Sequence, residues 1–194
     1  MSSWFTVSSV LPVLQAAPAK ERARRDQLAA LVVGLFDQLR DPLLRYLSGF
    51  GLALPDCEEV LQEVFLSLFQ HLDRGKSQEN IRGWLFRVAH NLALKRRYRS
   101  RQDFEVYEES GAAELAIDPA PNPEDRMVNS QAQQRLLAVV EALPEQDRRC
   151  LFLRAEGMRY REIAGILDMS LGAVSISLAR SLARIARSAE RLTL

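Results

Sequence analysis

Between Ile81 and Arg101 the chain sets out Arg82, Arg87, Lys95, Arg96, Arg97, Arg99 and Arg101, with no acidic side chain among them. Cations at this density neutralise phosphates, and each such contact steepens the salt dependence of binding. Asn91, in the same stretch, carries an amide able to pair with base edges. The preceding loop, His71 to Asn80, is polar and suited to holding an unstacked base. A second set, Asp56, Glu58, Glu59, Gln62 and Glu63, makes a mostly acidic helix face opposite an apolar stripe. A solvated surface and a docking surface for a basic partner both fit that face. Toward the C-terminus, Tyr160, Arg161, Ser170, Ser175, Ser177, Arg180 and Arg184 supply hydroxyls and guanidiniums of the kind that contact phosphates and bases.

Nothing in the sequence reads as catalytic. There is no phosphate-cradling glycine loop, no metal-ligand cluster and no nucleophile–base pair. His71 and His90 are isolated, and His90 reads as a helix residue lying beside nucleic acid. Cys57 and Cys150 are far apart and belong to no CxxC or Cys/His group, so they are expected to pack as small apolar residues. No cofactor is implied.

The elements that must position these groups are helices. Leu28, Leu31, Val32, Leu35, Phe36 and Leu39 recur at spacings of three and four, and Pro42 is expected to open a second helix that ends near Gly49 and Gly51. Pro55 and Asp56 start a helix with the stripe Val60, Leu61, Val64, Phe65, Leu68, Phe69 and Leu72. A further helix begins near Ile81, with Trp84, Leu85, Val88, Ala89 and Leu92 inward. No stretch alternates as a strand does. Residues 129–194 end in a helix-turn-helix pattern: a helix from Tyr160 to Leu167, a break at Asp168 to Ser170, then a helix with Val174, Leu178, Leu182 and Ile185 on one face. Ser170 suits the cap of that last helix. Such a unit enters a DNA major groove, although the spacing also fits a bundle that packs or binds another protein.

The net charge of +1 conceals two opposed blocks. After the basic stretch come Asp103, Glu105, Glu108, Glu109, Glu114, Asp118, Glu124 and Asp125 without a basic residue, and with Pro119, Pro121 and Pro123 among them. Residues 102–128 are therefore expected to be an acidic flexible linker. The fold expected is all-α: an N-terminal extension over 1–27, a helical domain over 28–101, the linker, and a helix-turn-helix domain over 129–194. No apolar run reaches the roughly 20 residues of a membrane helix, so no membrane insertion is expected, and the cytoplasm is the expected setting.

Two blocks carry a family resemblance. PDCEEVLQEVFLSLFQHL followed by IRGWLFRVAHNLALKRRYR resembles conserved region two of the sigma-70 family of RNA polymerase sigma factors. LPEQDRRCLFLRAEGMRYREIAGILDMSLGAVSISLARSLARI resembles region four, and the pair in this order is similar to the short extracytoplasmic-function (ECF) form. The resemblance implies a non-catalytic initiation factor whose partners are core RNA polymerase, through its β′ and β subunits, promoter DNA and an anti-sigma factor. It assigns Asp56, Glu58, Glu59, Gln62 and Glu63 to polymerase docking. Arg82, Arg87, Asn91, Lys95, Arg96, Arg97 and Arg99 fall to the downstream (minus-ten) element. Tyr160, Arg161, Ser170, Ser175, Ser177, Arg180 and Arg184 fall to the upstream (minus-thirty-five) element. It also implies that the linker threads the polymerase cleft. Family members usually carry threonine after the glycine and basic residues beyond it. Ala173, Ser175 and Ser177 stand there instead, which implies weaker or differently specified upstream contact. An ordinary DNA-binding regulator and a sigma-like decoy are the other readings; DCEEVLQEVF joined to WLFRVAHNLALKRR is a block a simple repressor does not need.

Overall fold

The structure is a computed structural model describing residues 19–109 and 131–190. Seven helices follow one another among the described residues: α1 (Ala19–Ser48), α2 (Leu54–Asp73), α3 (Ile81–Glu109), α4 (Gln131–Glu141), α5 (Glu145–Ala155), α6 (Tyr160–Leu167) and α7 (Leu171–Glu190). Helix α2 shows why the sequence folds this way. Cys57, Val60, Leu61, Val64, Phe65, Leu68 and Leu72 recur at helical spacing and all are buried, with a proline and Asp56 in the first turn. It stops at Gly75, whose φ of 68° suits glycine and whose N–H reaches the Leu72 carbonyl at 2.9 Å. At the head of α3, Asn80 folds back so that its Oδ1 accepts the Gly83 N–H at 3.2 Å. A Cβ on residue 83 would lie 2.6 Å from the Asn80 amide nitrogen, so this cap requires glycine.

Three expected limits change. Helix α1 continues through Pro42 as one 30-residue helix. The proline removes one i→i−4 hydrogen bond, but Leu39, Leu43, Tyr46 and Leu47 are buried on either side of it and keep the helix continuous. The same helix begins at Ala19, inside the expected N-terminal extension, and Arg24 is anchored there by Asp73 at 2.6 Å. Helix α3 runs on to Glu109, past the expected start of the linker at residue 102. Residues 1–18 and 110–130 lie outside the described residues, and with them the rest of the extension and of the linker.

The two halves share one core. Leu43, Leu47, Phe86 and Ala89 belong to the same buried cluster as Cys150, Leu153, Ile163, Ile166, Val174 and Leu178. Tyr46 of α1 stands edge-on to Phe86 of α3 with ring centres 5.4 Å apart, and lies 5.5 Å from Phe152 of α5. The Arg149 guanidinium covers the Phe50 ring at 4.0 Å. Both cysteines are buried and free.

His90 sits in this junction, 6% exposed, and shares a 2.9 Å hydrogen bond between its Nδ1 and Tyr46 Oη. It is thus an interior residue, and the expectation that it lies beside nucleic acid does not hold. Burial, aided by the Arg149 charge and opposed by Glu145, lowers its pKa from 6.5 to about 4. A histidine kept neutral contributes stability that is complete above its unfolded pKa of 6.5 and is lost as pH falls from there toward about 4. The melting temperature is therefore expected to drop between pH 7 and pH 5, with a loss on the order of 2 kcal/mol. In His90→Asn, thermal melts should be much flatter over that range; an equal drop in both proteins would remove His90 as the cause.

Asp147 is the other buried polar anchor, 1% exposed at the start of α5. It accepts the Ser177 hydroxyl at 2.8 Å and Arg180 through Nε at 2.8 Å and Nη2 at 2.6 Å. The Arg180 hydrogen bond in particular holds its carboxyl below the usual range. Asp147→Ala strands the buried Ser177 hydroxyl and should destabilise the fold by about 1–3 kcal/mol, read by urea titration.

Candidate functional site

On α2 the apolar stripe faces the core and leaves Glu58, Glu59, Gln62 and Glu63 exposed, with Asp56 half-buried. The face is not independent of the basic block. Arg96 of α3 reaches across with Nη2 at 2.6 Å from Asp56 and 2.7 Å from Glu59, and its Nε donates to Asp56 at 3.2 Å. One residue expected on DNA is therefore bound to two expected on polymerase. Glu63, Lys95 and Arg99 line a small cleft beside this cluster.

The basic block itself divides by helical phase. Arg87, Asn91, Lys95 and Arg99 follow one another at four-residue spacing and are all exposed, forming a line along α3. Three of these cations, one of them from that line, reach the C-terminal half: Arg82 pairs with Glu156, Arg97 pairs with Glu145, and Arg87 packs against α6. Arg45 of α1 reaches the same Glu156 at 3.7 Å. Arg87 runs along α6 at Gly165, and it shares with Trp84, Asn80, Gly83, Glu162 and Ile166 a cavity of about 210 Å³. His71, expected in the loop, lies in the last turn of α2; its ring is 4.7 Å from that of Trp84 on α3, and its Nε2 is 3.1 Å from the Ser77 carbonyl, which ties the loop to both helices. Trp84 is partly buried against the core, as its helical spacing predicts.

In the C-terminal half, α6 and α7 meet at 105°. Asp168 takes the left-handed conformation at φ 53°, which an aspartate tolerates better than most residues, and the Met169 N–H closes the turn on the Ala164 carbonyl at 2.9 Å. Ser170 caps α7 by accepting the Ala173 N–H at 3.1 Å. Tyr160 is 40% exposed, and Arg161, Ser175 and Arg184 are exposed. Ser177 is not: it is 3% exposed and engaged by Asp147, so it faces the interior and not DNA as expected. Arg180 keeps an exposed side chain, but its fork is held by the same carboxylate. Leu182, expected inward, is 56% exposed; Ser181 takes the inner position at that turn, with its hydroxyl on the Ser177 carbonyl at 2.9 Å.

Reading by residue type missed Asp147, whose signal was available in retrospect. Ser177 and Arg180 stand three apart on one face of α7 and converge on a single partner. It also missed Glu145 and Glu156, because a contact between distant surface charges leaves no local pattern. Ile176 of α7, a large apolar residue, is 65% exposed.

This arrangement has counterparts. The family description Sigma-70 region 2 matches residues 35–103, and Sigma-70, region 4 matches residues 133–185. The ECF RNA polymerase sigma-E factor of Escherichia coli (strain K12) is 33% identical over 129 residues, spanning 61% of this chain and 66% of that protein. Two solved structures share the fold. The sigma factor RpoE in complex with the anti-sigma factor NepR from Bartonella quintana superposes with a TM-score of 0.56 at 18% identity, over 81% of this chain and 97% of that one. CnrH in complex with the cytosolic domain of CnrY gives a TM-score of 0.53 at 21% identity, over 88% and 97%. Among the described residues no single helix is long and apolar enough to cross a membrane. With a region-two bundle and a region-four helix-turn-helix matched in chain order, and an ECF factor 33% identical along 66% of its length, the chain belongs to the sigma-70 family and is of the ECF type.

Proposed function

We propose that this chain is the promoter-specificity subunit of a bacterial RNA polymerase, acting in the cytoplasm. It binds the core enzyme through its β′ and β subunits, recognises a promoter at two elements and helps open the DNA, and performs no chemistry itself. Helices α1–α3 form the unit that docks on polymerase and takes the downstream element; α4–α7 form the unit for the upstream element. The observation that carries this reading is the adjacency of two unlike surfaces on one bundle. The acidic face of α2 and the cationic line Arg87–Asn91–Lys95–Arg99 on α3 lie side by side, so one rigid body presents a docking surface and a strand-binding surface in fixed register. Arg96, clamped between them, fixes that register and is not counted among the DNA contacts. An anti-sigma partner is part of the same proposal, supported by the complex in which one similar structure was solved.

Binding the two elements requires the halves to separate. Elements centred about 25 base pairs apart lie about 85 Å apart along B-form DNA, whereas α3 and α6 are in contact here. Residues 110–130 have a reach of up to about 70 Å, enough with the width of the domains to bridge that span.

The direct test mixes the purified chain with core polymerase on genomic fragments from its host and maps transcripts. Discrete start sites are expected only when both are present. Stable association with core without specific transcripts would favour a decoy, and neither result would return the chain to a plain DNA-binding regulator. Glu63→Lys leaves the Arg96 cluster intact and should weaken association with core about tenfold, or 1.4 kcal/mol, measured by co-purification and fluorescence titration. Unchanged association would move the docking surface elsewhere. Replacing Lys95 and Arg99 together by alanine should reduce the slope of log K against log salt for promoter binding by roughly 1.4–1.8. An unaltered slope would leave them as solubilising residues.

A further inference from the structure

The outer face of α7 carries apolar side chains to which the function above assigns no role. Over its first three turns Val174, Ser177 and Leu178 are buried, while Leu171, Ser175, Ile176 and Ala179 are exposed. Ile176 is the most exposed of the large apolar side chains described, at 65%. It projects from the part of a helix-turn-helix whose N-terminal residues meet base edges. The cation of this stretch, Arg180, has Nε and Nη2 on Asp147 at 2.8 and 2.6 Å. A bidentate guanidinium–guanine contact, the commonest specific contact in the major groove, would have to break that pair. The base feature that an aliphatic side chain recognises in the major groove is the C5-methyl group of thymine.

We infer that Ile176 is a specificity-determining residue that packs against a thymine methyl in the upstream element, with Ser175 and Ala179 on either side of it. The inference rests on the reading that α6 and α7 engage upstream promoter duplex. Duplex DNA is the occupant that the surrounding charge fits. Arg159 and Arg161 at the head of α6, and Arg184 and Arg187 farther along α7, are exposed on either side of the apolar stripe in the chain. A polyanion with an apolar feature in its groove matches that pattern; a purely apolar protein surface leaves the cations without a role.

The test uses the complete chain bound to core polymerase, on a promoter fragment located by its transcripts. Hydroxyl-radical footprinting first defines the protected upstream duplex. Each thymine within it is then replaced by uracil, which deletes the methyl and keeps the base pair. One or two such replacements should lower holoenzyme affinity about fourfold, the effect of one methyl group withdrawn from contact. Ile176→Ala should lose about the same factor on the natural fragment and become indifferent to those uracils. Because Ile176 is exposed, the variant is expected to melt with the parent, and its circular dichroism verifies that. Wild-type indifference to uracil at every protected position overturns the inference while leaving the upstream reading intact, as does an Ile176→Ala protein that stays uracil-sensitive. Absence of upstream protection removes both together. Weaker binding of Ile176→Ala to core polymerase in the absence of DNA would make the face a protein-docking surface and overturn the inference as well.

Discussion

Helix α6 has eight residues, too few to stand as a helix in water, and the arrangement of the C-terminal half follows from that. Its stability comes from burying Ile163 and Ile166, and the helices packed against it are α7, α5 and α3. The partner on α7 sets the 105° crossing and hence the outward aim of the recognition face. The partner on α3 brings the C-terminal half against the N-terminal bundle. One short helix thus couples the aim of the DNA-reading element to the packing of the whole chain.

Polar groups then fix what apolar burial leaves free. Hydrophobic contact is non-directional, so it cannot by itself set the rotation of α7 about its axis. Asp147 does: a buried carboxylate with two donors from one face of α7 permits a single rotational setting. That setting turns Ser177 in and Ile176 out. Where the two halves meet, Arg149 of α5 lies over the Phe50 ring, while the Tyr46–His90 pair sets α1 against α3 within the N-terminal bundle.

Much of this was legible in the residues. Helical spacing located α2, the start of α3 and both helices of the helix-turn-helix, and residue chemistry identified Ser170 as a cap. Proline rules failed at Pro42, because burial on both sides outweighs one lost hydrogen bond. Composition marked the acidic segment but not the continuation of α3 into it, since charge alone does not end a helix. The site was less legible than the fold. Charge blocks named the right stretches of chain, yet the phase of each helix decides which members face outward and which are tied to another helix. Arg96, Ser177 and Arg180 look like surface contacts in sequence, and their partners lie 40, 30 and 33 residues away.

If the halves separate on promoter binding, as proposed, the contact between α3 and α6 gives the free chain a threshold. A factor that must come apart to work carries an internal competitor at fixed effective concentration, whatever the level of polymerase in the cell. Its apparent affinity for a partner that needs the separated form falls by the fraction of chains already separated. A closed form favoured by about 2.7 kcal/mol would leave roughly one chain in a hundred ready, weakening apparent binding about a hundredfold. The ion pairs of Arg82 with Glu156 and Arg97 with Glu145 are part of that balance, so ionic strength tunes the threshold along with the promoter contacts.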